Sequence, residues 1–183
     1  MIQDLPPFSP FSLGANTITN GQQITLYVNG NLSITGNITY NTKDWKSISD
    51  IPNLKLIVSG NIYISPDVTQ LDGTYIAKGS IYDCSYVEQD SANTAYTSPL
   101  NSGSYPNSLT GAQACYNNHL IVNGSFIANS VYLQRTGGDY TNGNGTIAPS
   151  PAEVFNYGPE DWLAPSQANT GQFEAIKDLP PVL

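Results

Sequence analysis

The residues that could perform acid–base or metal chemistry in this 183-residue chain are a few aspartates and one histidine. Asp67 and Asp72 lie close together in "SPDVTQLDG", and Asp83 directly precedes a cysteine. Paired carboxylates can act as general acid and base on a glycosidic bond, or supply oxygen ligands to calcium. His119, the only histidine, is of the residue type that most often activates a nucleophile. These residues raise the alternatives of a carbohydrate-active enzyme and a calcium site.

The surroundings of these residues favour structural roles. Pro66 and the pair Asp72-Gly73 are typical of turns. Lyases of the parallel β-helix type also use basic residues, whereas this chain has only six lysines and arginines. We therefore predict no catalytic residue, no metal and no cofactor. Calcium at Asp67 and Asp72, and a β-helix-type enzyme that uses these aspartates or Asp83, stay as the alternatives.

Two cysteines, Cys84 and Cys115, bracket a long polar insert between apolar segments. We predict a disulfide that closes this insert, which places the protein in an oxidising compartment, outside the cell or on its surface. The alternative is a pair of unrelated buried thiols. Two thiols and His119 make an incomplete ligand set for zinc.

The composition limits the classes of molecule that this chain is expected to bind. The net charge of −8 and the scarcity of lysine and arginine argue against nucleic acid and against anionic membranes. No apolar stretch is long enough to cross a bilayer, so direct membrane insertion is not expected. The first twenty residues have neither a basic segment nor an apolar core, so they predict no signal peptide, and a signal or anchor is expected upstream.

A glycine-centred repeat predicts the architecture. The segments "LYVNGNLSI", "LIVSGNIYI", "YIAKGSIYD" and "LIVNGSFIA" align on Gly30, Gly60, Gly79 and Gly124. Apolar residues recur at every second position, which is the period of a β-strand. We predict an all-β, single-domain parallel β-helix (β-solenoid) whose coils stack Val28, Val58, Ala77 and Val122 in one column. An antiparallel sandwich is the alternative.

The opposite face of the repeat is also apolar. It predicts an outward strip that serves as an interface, made of Tyr27, Ile57, Ile76, Ile121, Tyr63 and Tyr82. Monomers rarely leave such a strip uncovered. We expect residues 151–176 to cover it, with a short helix in "PEDWLA", or else a neighbouring molecule to do so.

One domain is expected, with irregular coil lengths. Residues 1–23 form a capping segment, residues 24–134 form the coils with the 84–115 loop insert, and residues 135–183 form the covering tail.

The segments "IPNLKLIVSGNIYI", "TQLDGTYIAKGSIYDC", "LIVNGSFIANSVYLQRT" and "PAEVFNYGPEDWLA" followed by "LPPVL" resemble uncharacterised secreted or surface proteins of candidate-phyla bacteria. The resemblance covers most of residues 24–183. It implies a carboxy-terminal β-helix-like domain on a longer exported protein, some members having pilin-like amino ends. It implies no catalytic residue.

The sequence thus predicts an extracellular structural or adhesive module that binds a surface glycan or protein. The predicted contact residues are the tyrosines in or beside the insert: Tyr86, Tyr96, Tyr105 and Tyr116. A self-associating subunit of an extracellular filament is the first alternative, and the carbohydrate-active enzyme is the second.

Overall fold

The computed structural model describes residues 11–89, 95–99, 115, 118–135, 151–158 and 160–163. The described chain is all-β, with one large sheet whose strands pair in parallel and a small antiparallel hairpin. The first strands are β1 (Phe11–Leu13), β2 (Asn16–Ile18), β3 (Gln23–Val28), β4 (Leu32–Ile34), β5 (Ile38–Tyr40) and β6 (Asn53–Val58). They are followed by β7 (Ile62–Ile64), β8 (Gln70–Tyr82), β9 (Ser85–Gln89), β10 (Ala95–Pro99), β11 (Leu120–Tyr132) and β12 (Glu153–Asn156).

The described parallel strands form three columns. The first column runs β3, β6, the middle of β8 and the middle of β11. The second runs β1, β4, β7, the end of β8 and the end of β11. The third runs β2, β5, the start of β8, the start of β11 and β12. Strands β8 and β11 each pass through all three columns without interruption.

Strand register confirms the alignment of three repeat copies and corrects the fourth. Val28, Val58 and Ala77 are neighbours in the first column. Val122 is not in this row, since it pairs with Leu71 in the third column, and Ala128 pairs with Ala77 instead. The alignment of Gly124 with Gly79 was therefore wrong.

The physical reason lies in β8, which carries two glycines. Gly124 pairs with Gly73, and Gly79 falls at an irregularity where β8 has one residue more than β11. The matching segments are thus "GTYIAKGSIY" (73–82) and "GSFIANSVY" (124–132). An extra residue in one strand of a pair is a β-bulge. An alignment of Gly124 with Gly79 in place of Gly73 assigns the wrong partner to every residue of β11.

The glycines permit close approach of successive coils at the corners. A Cβ on Gly60 would collide with the carbonyl of Gly30 and the side chain of Asn31. A Cβ on Gly124 would collide with the backbone of Gly73, and Gly124 also has φ near +144°. Glycine is required at such positions because it has no side chain and tolerates positive φ.

Asparagines next to these corners join the coils through their side chains. Asn31 Oδ1 accepts a hydrogen bond from Asn61 N at 2.9 Å. One coil later, Asn61 Oδ1 accepts from Ser80 N at 2.8 Å. Asn31 and Asn61 therefore each accept a hydrogen bond from the backbone of the next repeat segment.

The core lies inside the three columns and consists of aliphatic side chains. Its fully buried members include Leu32, Ile34, Leu56, Ile62, Ile64, Leu71, Ile81, Leu120 and Val122. A half-enclosed cavity of about 110 Å³ lies at the amino-terminal end of this core, lined by Leu13, Ile18, Ile24 and Leu26 among others.

The insert and the tail attach to this body. The predicted Cys84–Cys115 disulfide is confirmed: both residues are buried and their Cα atoms lie 6.1 Å apart. Within the insert, β9 and β10 form the antiparallel hairpin. In the tail, residues 153–156 extend the third column as β12, and α1 (Glu160–Leu163) is a single helical turn. Of residues 151–176, which were predicted to cover the interface strip, residues 159 and 164–176 lie outside the described residues, so the cover stays a prediction.

Candidate functional site

The outward face of the first column carries an apolar strip. Tyr27, Ile57, Ile76 and Ile127 are successive neighbours on this face. Tyr27 is 73% exposed and Ile127 is 52% exposed. Ile121, which the sequence alignment placed in the strip, instead pairs with Gln70 in the third column. We use the name outward strip for Tyr27, Ile57, Ile76 and Ile127.

A shallow groove of about 480 Å³ lies on the outward strip, and Tyr27, Ile57 and Ile76 are among the residues that line it. Three neighbouring strands line it, through residues 27–29 of β3 and its turn, residues 57–59 of β6 and its turn, and residues 76–78 of β8. Lys78 is exposed at its rim, and Lys55 is exposed on the same face of β6. The groove therefore combines an apolar floor with positive charge, in a chain whose net charge is −8.

Tyr63 and Tyr82 form a separate stack on the second column. The rings of Tyr63 and Tyr82 lie 5.3 Å apart and nearly parallel, and Tyr132 continues the stack at 4.7 Å. Tyr63 is buried. These two tyrosines were predicted as part of one interface strip, but their register places them on another column than Tyr27 and Ile57. Their rings face one another, so the stack stabilises successive coils.

Asp72 is a fully buried acceptor that links three strands. Its Oδ2 accepts a hydrogen bond from Tyr40 N at 2.7 Å. Its Oδ1 accepts from Asn123 Nδ2 at 2.6 Å and from Gln70 Nε2 at 3.1 Å. Lys43 Nζ lies 3.6 Å from the same Oδ1. Both carboxylate oxygens of Asp72 accept hydrogen bonds from protein donors, so Asp72 connects strands β5, β8 and β11.

The only arginine of the chain, Arg135, is buried and binds backbone carbonyls. Its Nε donates to Asp83 O at 3.0 Å and its Nη2 to Ser65 O at 3.0 Å. Its Nη1 lies within hydrogen-bonding distance of Pro66 O and His119 O. Arg135 therefore ties the turn after β7, the base of the insert and the start of β11 together.

Asp83 and Glu153 form a carboxyl pair beside Arg135. Asp83 is fully buried, and its Oδ1 accepts from Gln134 N at 2.7 Å. Glu153 Oε1 accepts from Arg135 N at 3.0 Å. Burial, together with a hydrogen bond to Glu153, raises the pKa of Asp83 to about 8. Asp83 is thus protonated near neutral pH, which makes the contact between the two acids attractive.

The remaining polar residues named from the sequence lie apart from one another. Asp67 is exposed in the turn before β8. Nδ1 of His119 lies 2.9 Å from the carbonyl of Pro151. Among the described residues, no group of three or more histidines, cysteines, aspartates and glutamates could hold a metal ion. The aspartates predicted as weak calcium candidates, Asp67 and Asp72, are not brought into one ligand set.

Of the four tyrosines in or beside the insert, two lie in described strands. Tyr86 is a backbone member of β9 and Tyr96 of β10, where they pair with Ser98 and Glu88. Tyr105 and Tyr116 lie outside the described residues. Their predicted contact with a glycan or protein stays a prediction.

Sequence reasoning assigned no role to Arg135 or Glu153. The one signal for Arg135 is that it is the single arginine of the chain. Glu153 lies far from Asp83 in the sequence, and no local pattern links the two residues. The first column thus exposes an apolar groove, whereas of the two neighbouring carboxyls Asp83 is fully buried and Glu153 is half-buried.

No family model, curated protein or solved structure matches this chain. None of the described helices has the length and apolar character to cross a membrane.

Proposed function

We propose that this chain is an extracellular parallel β-solenoid that acts as a structural and adhesive module, with the groove on the outward strip as its contact surface. Three columns of in-register parallel strands support the solenoid, since a sandwich would join neighbouring strands as antiparallel hairpins. The Cys84–Cys115 disulfide supports the extracellular location, because such bonds persist in oxidising compartments.

The observation that carries the binding role is the groove formed by Tyr27, Ile57 and Ile76 with Lys78 at its rim. Apolar surface that stays exposed on a folded domain commonly marks a contact with another molecule. The floor of the groove is mostly aliphatic, through Ile57 and Ile76, and Lys78 adds a positive charge at its rim. We therefore propose a protein segment with apolar residues and an acidic residue as the partner.

A selection of displayed peptides on the immobilised protein tests this proposal. We expect enriched peptides to combine apolar and acidic residues, and to lose binding to Ile76→Glu, which places a charge on the groove floor. The matched control is Ile48→Glu, because Ile48 is 62% exposed and lies away from the groove. Absence of enrichment, or equal binding to Ile76→Glu and wild type, would contradict the proposal.

A glycan array separates the protein partner from the predicted glycan partner. If glycan signals appear and disappear in Tyr86→Ala or Tyr96→Ala while Ile76→Glu retains them, the insert is the contact surface and the groove is not. The enclosed positions of Asp72 and Asp83 offer no observation that favours the carbohydrate-active enzyme.

A further inference from the structure

The inward rows of the second and third columns are buried in the middle of the molecule and exposed at its ends. In the second column, one row runs Phe11, Leu32, Ile62, Ile81 and Val131. Its three interior members are fully buried, whereas Phe11 is 58% exposed and Val131 is 40% exposed. In the third column, Leu71 and Val122 are fully buried and Phe155, next in the row, is 44% exposed. Among the described strands, nothing lies beyond these end residues.

Among the described strands, none pairs with the outer edge of β1 or with the outer edge of residues 125–132 of β11. Phe11 N donates to Asn31 O, and Leu13 O accepts from Thr35 N, so these two residues face β4. The N–H and C=O of Ser12 between them point the other way, because successive residues of a strand alternate their bonding side. At the opposite end, β12 pairs with residues 120–123 of β11, and among the described strands residues 125–132 pair with β8 alone.

These edges lack the features that normally prevent strand addition. Soluble proteins protect edge strands with charged residues or proline. Strands β1, β2, β3 and β11 contain neither, and the one charged residue of β12, Glu153, is half-buried and accepts a hydrogen bond from Arg135 N. The interior strands β6 and β8 carry Lys55, Asp72 and Lys78. The charged residues of β6 and β8 lie in the interior of the sheet, where they cannot block the addition of a strand at either end.

We propose that copies of this chain associate end to end, with β1 and β2 of one copy adding as parallel strands to residues 130–132 of β11 and to β12 of the next. The partner is a second copy because the two ends continue the same rows in the same strand direction. Phe11 would lie on Val131, which repeats the contacts among Leu32, Ile62 and Ile81 within the molecule.

Such an interface is heterologous, because it joins two different surfaces of the chain. Contacts of this kind do not close on themselves unless the copies form a ring, so they propagate into a linear assembly. The inference rests on the proposed solenoid architecture but not on the groove. Ile76→Glu should therefore leave the association unchanged, and the two proposals can fail separately.

Sedimentation velocity over a series of concentrations tests the inference. We expect the wild-type chain to form species larger than a monomer as concentration rises. Phe11→Lys and Val131→Lys should each abolish them, because each blocks one end. Ile48→Lys is the matched control and should associate like wild type. Far-UV circular dichroism establishes that each variant is folded.

A mixture of the two variants gives the sharpest result. Val131→Lys keeps an intact amino-terminal end and Phe11→Lys keeps an intact carboxy-terminal end, so the mixture should form dimers and nothing larger. Ser12→Pro removes the outward N–H of β1 and should behave like Phe11→Lys. It serves as the second variant for the amino-terminal end if Phe11→Lys does not fold. A wild-type chain that is monomeric at every concentration would overturn the inference, as would association that survives the end variants or mixtures that stay monomeric.

Discussion

Asp72, Asp83 and Arg135 are buried ionisable residues that connect different parts of the chain. Each forms a hydrogen bond with a residue that is distant in sequence. A buried polar group is costly unless its hydrogen bonds are made, so these residues penalise any arrangement that fails to bring their partners together. The buried acids therefore help to fix which segments of the chain pack against one another.

The raised pKa of Asp83 predicts that stability depends on pH. The folded protein keeps the Asp83 proton up to about pH 8, whereas an unfolded chain releases it near its ordinary pKa of 3.8. The folded state binds more protons between these values, so the free energy of unfolding should fall as pH rises from about 4 to about 8. For one proton the slope is at most about 1.4 kcal/mol per pH unit.

Chemical denaturation at a series of pH values measures this effect. Asp83→Asn retains an oxygen for Gln134 N and cannot ionise, so it should remove this part of the pH dependence. Asp67→Asn is the control, because Asp67 is exposed in a turn. Identical pH profiles for wild type and Asp83→Asn would show that Asp83 is ionised in the folded state, against our assignment.

Asp72→Ala should destabilise the protein strongly. It leaves Tyr40 N, Asn123 Nδ2 and Gln70 Nε2 without their acceptor in a buried site. Loss of such a network costs about 3 kcal/mol or more. Thermal unfolding measures the loss, with Asp67→Ala expected to be nearly neutral. A small effect of Asp72→Ala would mean that water replaces the carboxylate.

At the scale of secondary structure elements, the corner glycines set the distance between coils. Gly60→Ala places a Cβ against the Gly30 carbonyl and should cost about 1–3 kcal/mol, as overpacking does. Gly14→Ala is the matched control, because no atom lies within 4 Å of its Cβ position. The comparison of their unfolding free energies tests the close approach, and equal stability of the two variants would argue against it.

The sequence was sufficient to predict an all-β chain, the disulfide and the pairing of Val28, Val58 and Ala77. Alternating apolar residues and a recurring glycine are local signals, and parallel stacking preserves them from coil to coil. Two cysteines around one polar insert left a single pairing within the chain.

The sequence could not establish the register of β11 or the pairing of Asp83 with Glu153. Strand β8 carries two glycines, Gly73 and Gly79, and a glycine-based alignment cannot tell which of them matches Gly124. The contact between Asp83 and Glu153 joins residues that are far apart in the sequence, and no local pattern encodes it. Both features depend on pairing between distant segments.

At the scale of the whole molecule, the Cys84–Cys115 disulfide closes the base of the insert. Its loop spans a sequence separation of 31 residues, for which closure is worth about 4 kcal/mol in the chain-entropy account. Urea denaturation with and without a reductant should show a loss of that order. A Cys84→Ser, Cys115→Ser double variant should match the reduced protein, and unchanged stability would mean that the fold holds the insert without the bond.

Paired cysteines test most directly whether the described strands lie in parallel and in the register found here. Ile76 and Ile127 are direct neighbours on adjacent parallel strands, whereas Ile121 pairs with Gln70. After mild oxidation and peptide mapping of the folded protein, the account predicts a new disulfide in Ile76→Cys with Ile127→Cys and none in Ile76→Cys with Ile121→Cys. A disulfide in the second variant, or none in the first, would contradict it.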